Sequence, residues 1–410
     1  MYYKRDLEEK VERYLDSPEI IAIFGPRQVG KTTLLKEFYN RVENAIFMTF
    51  EDIELKVLFE EDIKSFIQLY IEPYDYIFID EFQYASMGGK HLKYIYDTTS
   101  KKIFISGSSA MELSVNAIRY LAGRIFVFNL YSFSFGEFLR IKDANLYQIY
   151  KDADINTSKI MINQINHYMQ EYMIYGGYPR VVLSKDIEEK KEVLKNLLSI
   201  YLLRDIKDIA KIADESKMYK LLKVLSLQIG NVIVYNEIST TTQLNSAKLK
   251  DYISILQKAF LIKEVRPFFT NKRLEIVKNP EIFFLDFGLR NVVINNFSNL
   301  DNRVDSGAML ENFVLRELVG QELKYYRTKN GAEVDFVLDD ATPIEIKSNL
   351  SSMKVSKSYH YFLQNYTPKS GYILSFNQVG TKLINGVEVK FLPHFMISNY
   401  IPNNQNITYF

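Results

Sequence analysis

Residues 20–40 read IIAIFGPRQVGKTTLLKEFYN. A run of five apolar residues, Ile20 to Phe24, suits a strand buried on both faces. It meets a glycine-bounded loop, which meets a segment with apolar residues at helical spacing. The loop fits G-x-x-x-x-G-K-[ST] between strand and helix, the setting that pattern requires. At average residue usage a chance match in a chain of this length is on the order of one per cent. The glycines let the backbone curl until its N–H groups face phosphate oxygens, and the following helix adds its positive end. Lys31 is then expected on the β- and γ-phosphates of ATP, and the Thr32 hydroxyl on Mg²⁺. The nucleotide-contacting candidates are Gly25, Pro26, Arg27, Gln28, Val29, Gly30, Lys31, Thr32 and Thr33.

Outward from this loop, AIFMTF, YDYIFIDE, KIFISGS and IFVFNL repeat the short Ile- and Phe-rich run, separated by helical stretches. This predicts an α/β domain with a parallel sheet. YDYIFIDE delivers Asp80 and Glu81 to the carboxyl edge of the sheet. Asp80 is expected to hold Mg²⁺ and Glu81 to orient and polarise the attacking water. KIFISGS ends in Ser106, with Ser108 as second choice, where a hydroxyl between the two motif strands can sense the γ-phosphate. A plain Gly-Ser turn is the alternative. Arg124 precedes the last run and could stabilise transition-state charge, in cis or in a neighbouring subunit; the alternative is a salt-bridging surface arginine.

The bulk numbers fit this reading. The 410 residues suggest two to three domains. With 47% hydrophobic and 25% charged residues the composition is that of a soluble globular protein. No apolar run is long enough to span a membrane, and the charged start, MYYKRDLEEKVERYL, does not read as a signal peptide. The absence of cysteine excludes disulfides, thiolate metal sites and cysteine nucleophiles, and is compatible with the expected cytoplasmic location. A net charge of +1 excludes a uniformly basic nucleic-acid binder but not a local basic patch.

FGPRQVGKTTLL, YIFIDEFQY, ISGSSAMEL and AGRIFVFNLYSFSFGEF resemble the AAA-type, STAND-related prokaryotic ATPases. Those proteins carry an Arg and a Gln inside the loop, here Arg27 and Gln28, and continue into a domain of unknown function with a restriction-endonuclease-like core. The resemblance extends through GGYPRVV and LDFGLRN. It implies nucleotide contacts at Gly25, Gly30, Lys31, Thr32 and Asp80, with Glu81 in the hydrolytic position. The AAA-like core is expected over 1–148.

Residues 149–216 read as a helical lid over the nucleotide, broken at Gly176-Gly177-Tyr178-Pro179. Arg180 and Arg204 could reach phosphate from it, with surface or structural roles as the alternative. Over 217–280, three helical segments precede LIKEVRPF and RLEIV, read as a hairpin; this predicts a winged helix, with Ser246 capping its third helix. The segment holds 11 Lys+Arg and 4 Asp+Glu, +7 in a chain of +1. Lys248, Lys250, Lys272 and Arg273 would face DNA. A protein–protein or lid module is the alternative.

Residues 281–410 are expected to form the C-terminal domain, with elements in the order αβββαβ of a restriction-endonuclease-like core. Asn330-Gly331 signals the hairpin between its first two strands. Alternation in AEVDFVL and PIEIK sets Asp335, Glu345 and Lys347 apart from the apolar face. Adjacent strands could bring them together, with Glu311 joining from the preceding helix. This resembles the PD-(D/E)xK pattern, which implies a second Mg²⁺ or Mn²⁺ on Glu311, Asp335 and Glu345, with Lys347 assisting catalysis. No proline precedes Asp335, a departure from that pattern. The same charges also fit a solvated sheet face or a binding module. The expectation is an Mg²⁺-dependent ATPase switch acting on nucleic acid. Its rivals are a non-nucleolytic regulator that binds DNA or a protein partner, and a scaffold with negligible turnover. An oligomer is compatible with all three.

Overall fold

The computed structural model describes residues 2–108, 120–200 and 215–401. Ser109 and Arg204 lie outside them. Among the described residues the chain builds two sheets joined by helices.

The first sheet is parallel, in the order β2 (Ala45–Thr49), β3 (Tyr76–Asp80), β4 (Lys102–Gly107), β1 (Ile20–Phe24), β5 (Ile125–Asn129). β1 and β4 are buried along their whole length, as their unbroken apolar runs require. Helix α1 (Lys31–Tyr39) lies on the sheet through Phe38, whose ring stacks 6.0 Å from Phe104, itself 4.6 Å from Phe78. Helix α2 (Phe135–Lys142) follows β5, opened by a capping box of Ser134 and Glu137.

The middle segment contains α3 (Lys159–Tyr175) and α4 (Ile187–Ile200), then α5 (Glu215–Leu227), α6 (Tyr235–Thr242) and α7 (Ser246–Lys258). The cap of α7 is Asn245, one residue before the expected Ser246; its side chain accepts from the Lys248 N–H at 2.9 Å.

The second sheet is mixed and has eight strands. β6 (Ile262–Pro267), β7 (Glu281–Phe284), β8 (Lys324–Arg327), β9 (Glu333–Val337), β10 (Pro343–Ile346), β11 (Ser370–Leu374), β12 (Gly380–Ile384) and β13 (Val387–Leu392) lie in the order β12-β13-β11-β10-β9-β8-β6-β7. Three helices accompany it: α8 (Lys272–Val277), α9 (Phe287–Val293) and α10 (Ser306–Glu317). With α11 (Lys357–Tyr366), the αβββαβ order runs from α10 to β11. Gly331, at φ +81°, makes the β8–β9 turn.

One expectation fails here. RLEIV is the helix α8, not a strand. Asn271 caps it, accepting from the Arg273 N–H at 3.1 Å, and buried Glu275 anchors it to Lys324. The strand that pairs with β6 is β7, with Val265 opposite Glu281. A boundary at residue 280 therefore cuts a strand pair, and β6 also runs parallel to β8 in the C-terminal sheet. Among the described residues of 149–216, α3 and α4 pack chiefly against α9 and so bridge to the C-terminal half.

The halves share a core. Phe135 on α2, Tyr172 on α3 and Phe313 on α10 meet with ring centroids 5.6–6.3 Å apart. The GGYP corner is fixed the same way: the buried Asp286 carboxylate accepts from the Gly177 N–H at 2.9 Å. A β-carbon on Gly176 would come within 2.3 Å of that carboxylate, and φ there is +78°.

Candidate functional site

The first candidate site sits where β1 ends. Phe24 is flanked by Gly107 on β4 and Asn129 on β5, so the loop leaves the sheet at its carboxyl edge beside a change in strand direction of connection. Gly25 passes so close to β5 that a β-carbon would lie 2.0 Å from the Leu130 carbonyl oxygen. Gln28 and Gly30 take positive φ, 61° and 98°, curling the loop onto the start of α1. Lys31 Nζ donates to the Pro26 carbonyl at 2.8 Å, holding the lysine across the loop. Val29 is buried, Thr32 half-buried, and Gln28 and Thr33 are exposed.

Asp80 and Ser106 end adjacent strands, and the Ser106 hydroxyl donates to the buried Asp80 carboxylate. Glu81 takes a left-handed backbone, φ 53° and ψ 41°, a sparsely populated conformation for a non-glycine residue. Its N–H lies 3.4 Å from Ser106 Oγ, and its carboxylate accepts from the Gln83 amide. Gln83 Oε1 in turn accepts from the Ser108 N–H at 3.2 Å. The structure thus groups Asp80, Glu81 and Ser106, and adds Gln83, which the sequence reading missed. Arg124 does not join them. It begins β5 at the opposite end, five strand residues or roughly 15 Å away, and pairs with Asp97 at 2.8 Å. Arg180 is exposed.

Arg5 was also missed. Its buried guanidinium donates to the Val29 carbonyl inside the loop at 2.8 Å and to the Tyr131 carbonyl at 2.8 Å, and pairs with Glu137 at 3.0 Å. From the C-terminal half, buried Arg316 on α10 donates to the Ser132 carbonyl at 2.6 Å and lies 5.1 Å over the Tyr131 ring. The loop and α10 are therefore held by one short segment, 131–137.

α10 leads to the second candidate site. The β9–β10 register pairs Ile344 with Phe336, and one step further sets Glu345 opposite Asp335. Lys347 Nζ pairs with Glu345 Oε1 at 3.0 Å. Asp335 accepts from the Ile346 N–H at 2.6 Å. Glu311 comes from α10. Glu281, which the sequence reading placed only in a buried strand, reaches the same neighbourhood from β7 and pairs with Arg327 at 3.5 Å. Gly230, at φ +70°, leaves room for Glu311: a β-carbon there would lie 2.7 Å from its carboxylate.

Here carboxylates outnumber cations. Burial, then the charge of Glu345, pushes Asp335 up to about 7. Burial pushes Glu281 up to about 8 and raises Glu311 as well, with Asp335 and Glu281 adding to it. Burial works against the Lys347 ammonium, yet Asp335 and Glu345 outweigh it and raise its pKa. Buried Glu345 Oε2 has no hydrogen-bond partner among the described residues. Behind it, fully buried His394 is pushed down to about 3 by burial, so its neutral ring donates from Nε2 to the Lys347 carbonyl at 3.0 Å. These oxygen donors suit a hard divalent cation. Among the described residues, however, no three Asp, Glu or His groups converge closely enough to hold one ion together.

The N-terminal sheet and its loop define the class: a P-loop ATPase domain of the AAA type. Residues 17–139 match the AAA domain family, and two domains of unknown function match 166–300 (DUF8612) and 306–395 (DUF4143). The chain is 24% identical over 363 residues to an uncharacterized protein of Methanocaldococcus jannaschii, covering 81% of this chain and 76% of that one. It is 25% identical to an uncharacterized protein of Haemophilus influenzae, covering 84% and 85%. Among solved structures it is similar to a DNA replication initiation factor, at 15% identity and TM-score 0.28 over 62% of this chain and 91% of that one. It is also similar to domain III of the Thermotoga maritima replication initiation protein DnaA, at 14% and 0.27 over 62% and 93%. Likeness at these TM-scores carries no argument about function. No helix among the described residues is long and apolar enough to cross a membrane.

Proposed function

We propose that this AAA-type ATPase is an Mg²⁺-dependent switch whose nucleotide state sets how the C-terminal half engages nucleic acid. The observation that carries the coupling is the polar path from the Val29 carbonyl through Arg5 and residues 131–137 to Arg316 on α10, the helix that bears Glu311. Filling the loop with a triphosphate would compete for the backbone that Arg5 holds, and α10 would feel the change through Ser132. Thr32 and Asp80 offer oxygen donors that suit Mg²⁺, which would neutralise phosphate charge when bound. Lys31 would bind the phosphates, Glu81 would polarise water, and Ser106 would orient the Asp80 carboxylate.

Nucleic-acid engagement rests on two features. The order α5, the Val232–Glu281 bridge, α6, α7, β6, β7 supports a winged helix with exposed Lys248 and Lys250 on its third helix. The C-terminal cluster pairs buried carboxylates with Lys347, which supports metal-assisted contact with phosphodiesters. A second reading, a non-nucleolytic regulator that binds DNA or protein, is favoured by the lack of a three-ligand metal geometry among the described residues. ATP turnover with and without DNA, in wild type and in Lys31→Ala and Lys347→Ala, tests the proposal. The switch reading expects DNA-dependent turnover that Lys31→Ala abolishes and Lys347→Ala uncouples from DNA. Turnover indifferent to DNA, and no Mn²⁺-dependent cleavage of any strand, leaves the regulator.

A further inference from the structure

A cleft of about 630 Å³ separates α3 from the C-terminal sheet, within the size range of small-molecule sites. Nothing in the function above uses it. One wall is a polar stripe of α3, Asn163, Asn166, His167 and Gln170, at the i, i+3, i+4, i+7 positions of a single helix face. The facing wall is Ser348 and Asn349, the two residues after Lys347. Leu310, the neighbour of Glu311, and the half-buried Phe376 ring also line it. Leu310 and Ser348 thus place lining residues next in sequence to Glu311 and Lys347 of the carboxylate–lysine cluster.

Its chemistry is specific. No lysine or arginine lines it, and Asp301 does, so it is not a phosphate subsite. Its side-chain amides present a donor and an acceptor on one plane, the arrangement that reads base edges. Phe376 offers a ring face for stacking and is fixed against His394, centroids 4.8 Å apart, whose other contact is the Lys347 carbonyl. Asn166 is 6% exposed, and its Oδ1 has no hydrogen-bond partner among the described residues.

We propose that this cleft receives an unpaired nucleobase of a single strand whose backbone lies at Lys347 and the carboxylate cluster. The side-chain amides of Asn163, Asn166 and Gln170 would pair with the edge of the base, and the base ring would rest on Phe376. This inference rests on the nucleic-acid reading of the C-terminal half and names its substrate as single-stranded.

Fluorescence anisotropy with labelled ten-nucleotide strands, in EDTA to prevent cleavage, tests it on the full chain. The probes are oligo-dA, oligo-dC, oligo-dT and a wholly abasic strand. Wild type should bind oligo-dA and oligo-dC at least about tenfold more tightly than the abasic strand, the scale of one good base contact. Asn166→Leu and the less buried Gln170→Ala should each remove that preference while leaving abasic affinity, ATP turnover and melting midpoint unchanged. Gln170→Ala keeps the test alive should Asn166→Leu fail to fold. Lys347→Ala should weaken every strand alike. Equal affinity for base-bearing and abasic strands overturns the cleft assignment alone. No affinity for any strand, in EDTA or with Ca²⁺ in its place, overturns single-strand engagement by the C-terminal half and this inference with it.

Discussion

The two candidate sites solve the same problem, holding carboxylates in a largely buried place, in opposite ways. At the P-loop edge each acid has a partner: Ser106 for Asp80, Gln83 for Glu81, Arg5 for Glu137. At the C-terminal edge Glu281, Glu311, Asp335 and Glu345 share Lys347 and Arg327, and one Glu345 oxygen has no donor among the described residues. A satisfied site is set before its ligand arrives. An unsatisfied one carries an electrostatic cost that a cation or a conformational change can relieve. Under the proposed function the first serves constant chemistry and the second is switched.

The sharpest way to break this contrast is Lys31→Ala. With the satisfied site deprived of its phosphate-binding ammonium, ATP turnover should fall by about two orders of magnitude or more, measured as phosphate release. Unchanged turnover would remove the ATPase assignment from the loop. Next is Arg5→Ala, which leaves Glu137 buried without its partner. Breaking such a pair costs about 3–5 kcal/mol, so the urea midpoint should drop markedly. A near-neutral result would mean that residues 131–137 do not depend on Arg5.

The unsatisfied site predicts the reverse sign. Asp335 titrates near 7 in the fold and near 4 unfolded. Below pH 4 both states hold the proton. Between pH 4 and 7 the unfolded chain releases it first, so stability falls as pH rises and levels off above 7. Asp335→Asn should lack that decline. Its melting midpoint should match wild type at pH 4 and exceed it at pH 8. A variant less stable at pH 8 would show Asp335 to be satisfied after all. The smallest effect expected is a rise in melting midpoint on adding Mn²⁺. It should be larger at pH 8 than at pH 5, when the carboxylates are ionised, and absent in Glu345→Gln. A rise of equal size in that variant would assign the ion elsewhere.

The same contrast explains what could be read from the chain. The P-loop, Asp80 and Ser106 were legible because each is a short local pattern at a strand end. Asp335 and Glu345 were legible because strand alternation puts them on one face. Arg5, Gly230 and Glu281 were not, since each acts across more than twenty residues of sequence and carries no local signature. Gln83 had a faint one, as the lone amide between two aromatics in EFQY. RLEIV misled because apolar Leu274 and Ile276 alternate with charged Arg273 and Glu275, as on a half-buried strand. The decisive features were the Asn271 cap and the availability of β7, a better partner a few residues later.

The central claim is that the loop and the C-terminal cluster communicate through Arg5, residues 131–137 and Arg316. Hydrogen exchange with and without a non-hydrolysable ATP analogue and Mg²⁺ tests it most directly. Binding should change protection at 306–318 and 343–349 as well as around the loop, and Arg316→Ala should confine the change to the N-terminal domain. Protection that changes only around the loop in the wild type would contradict it.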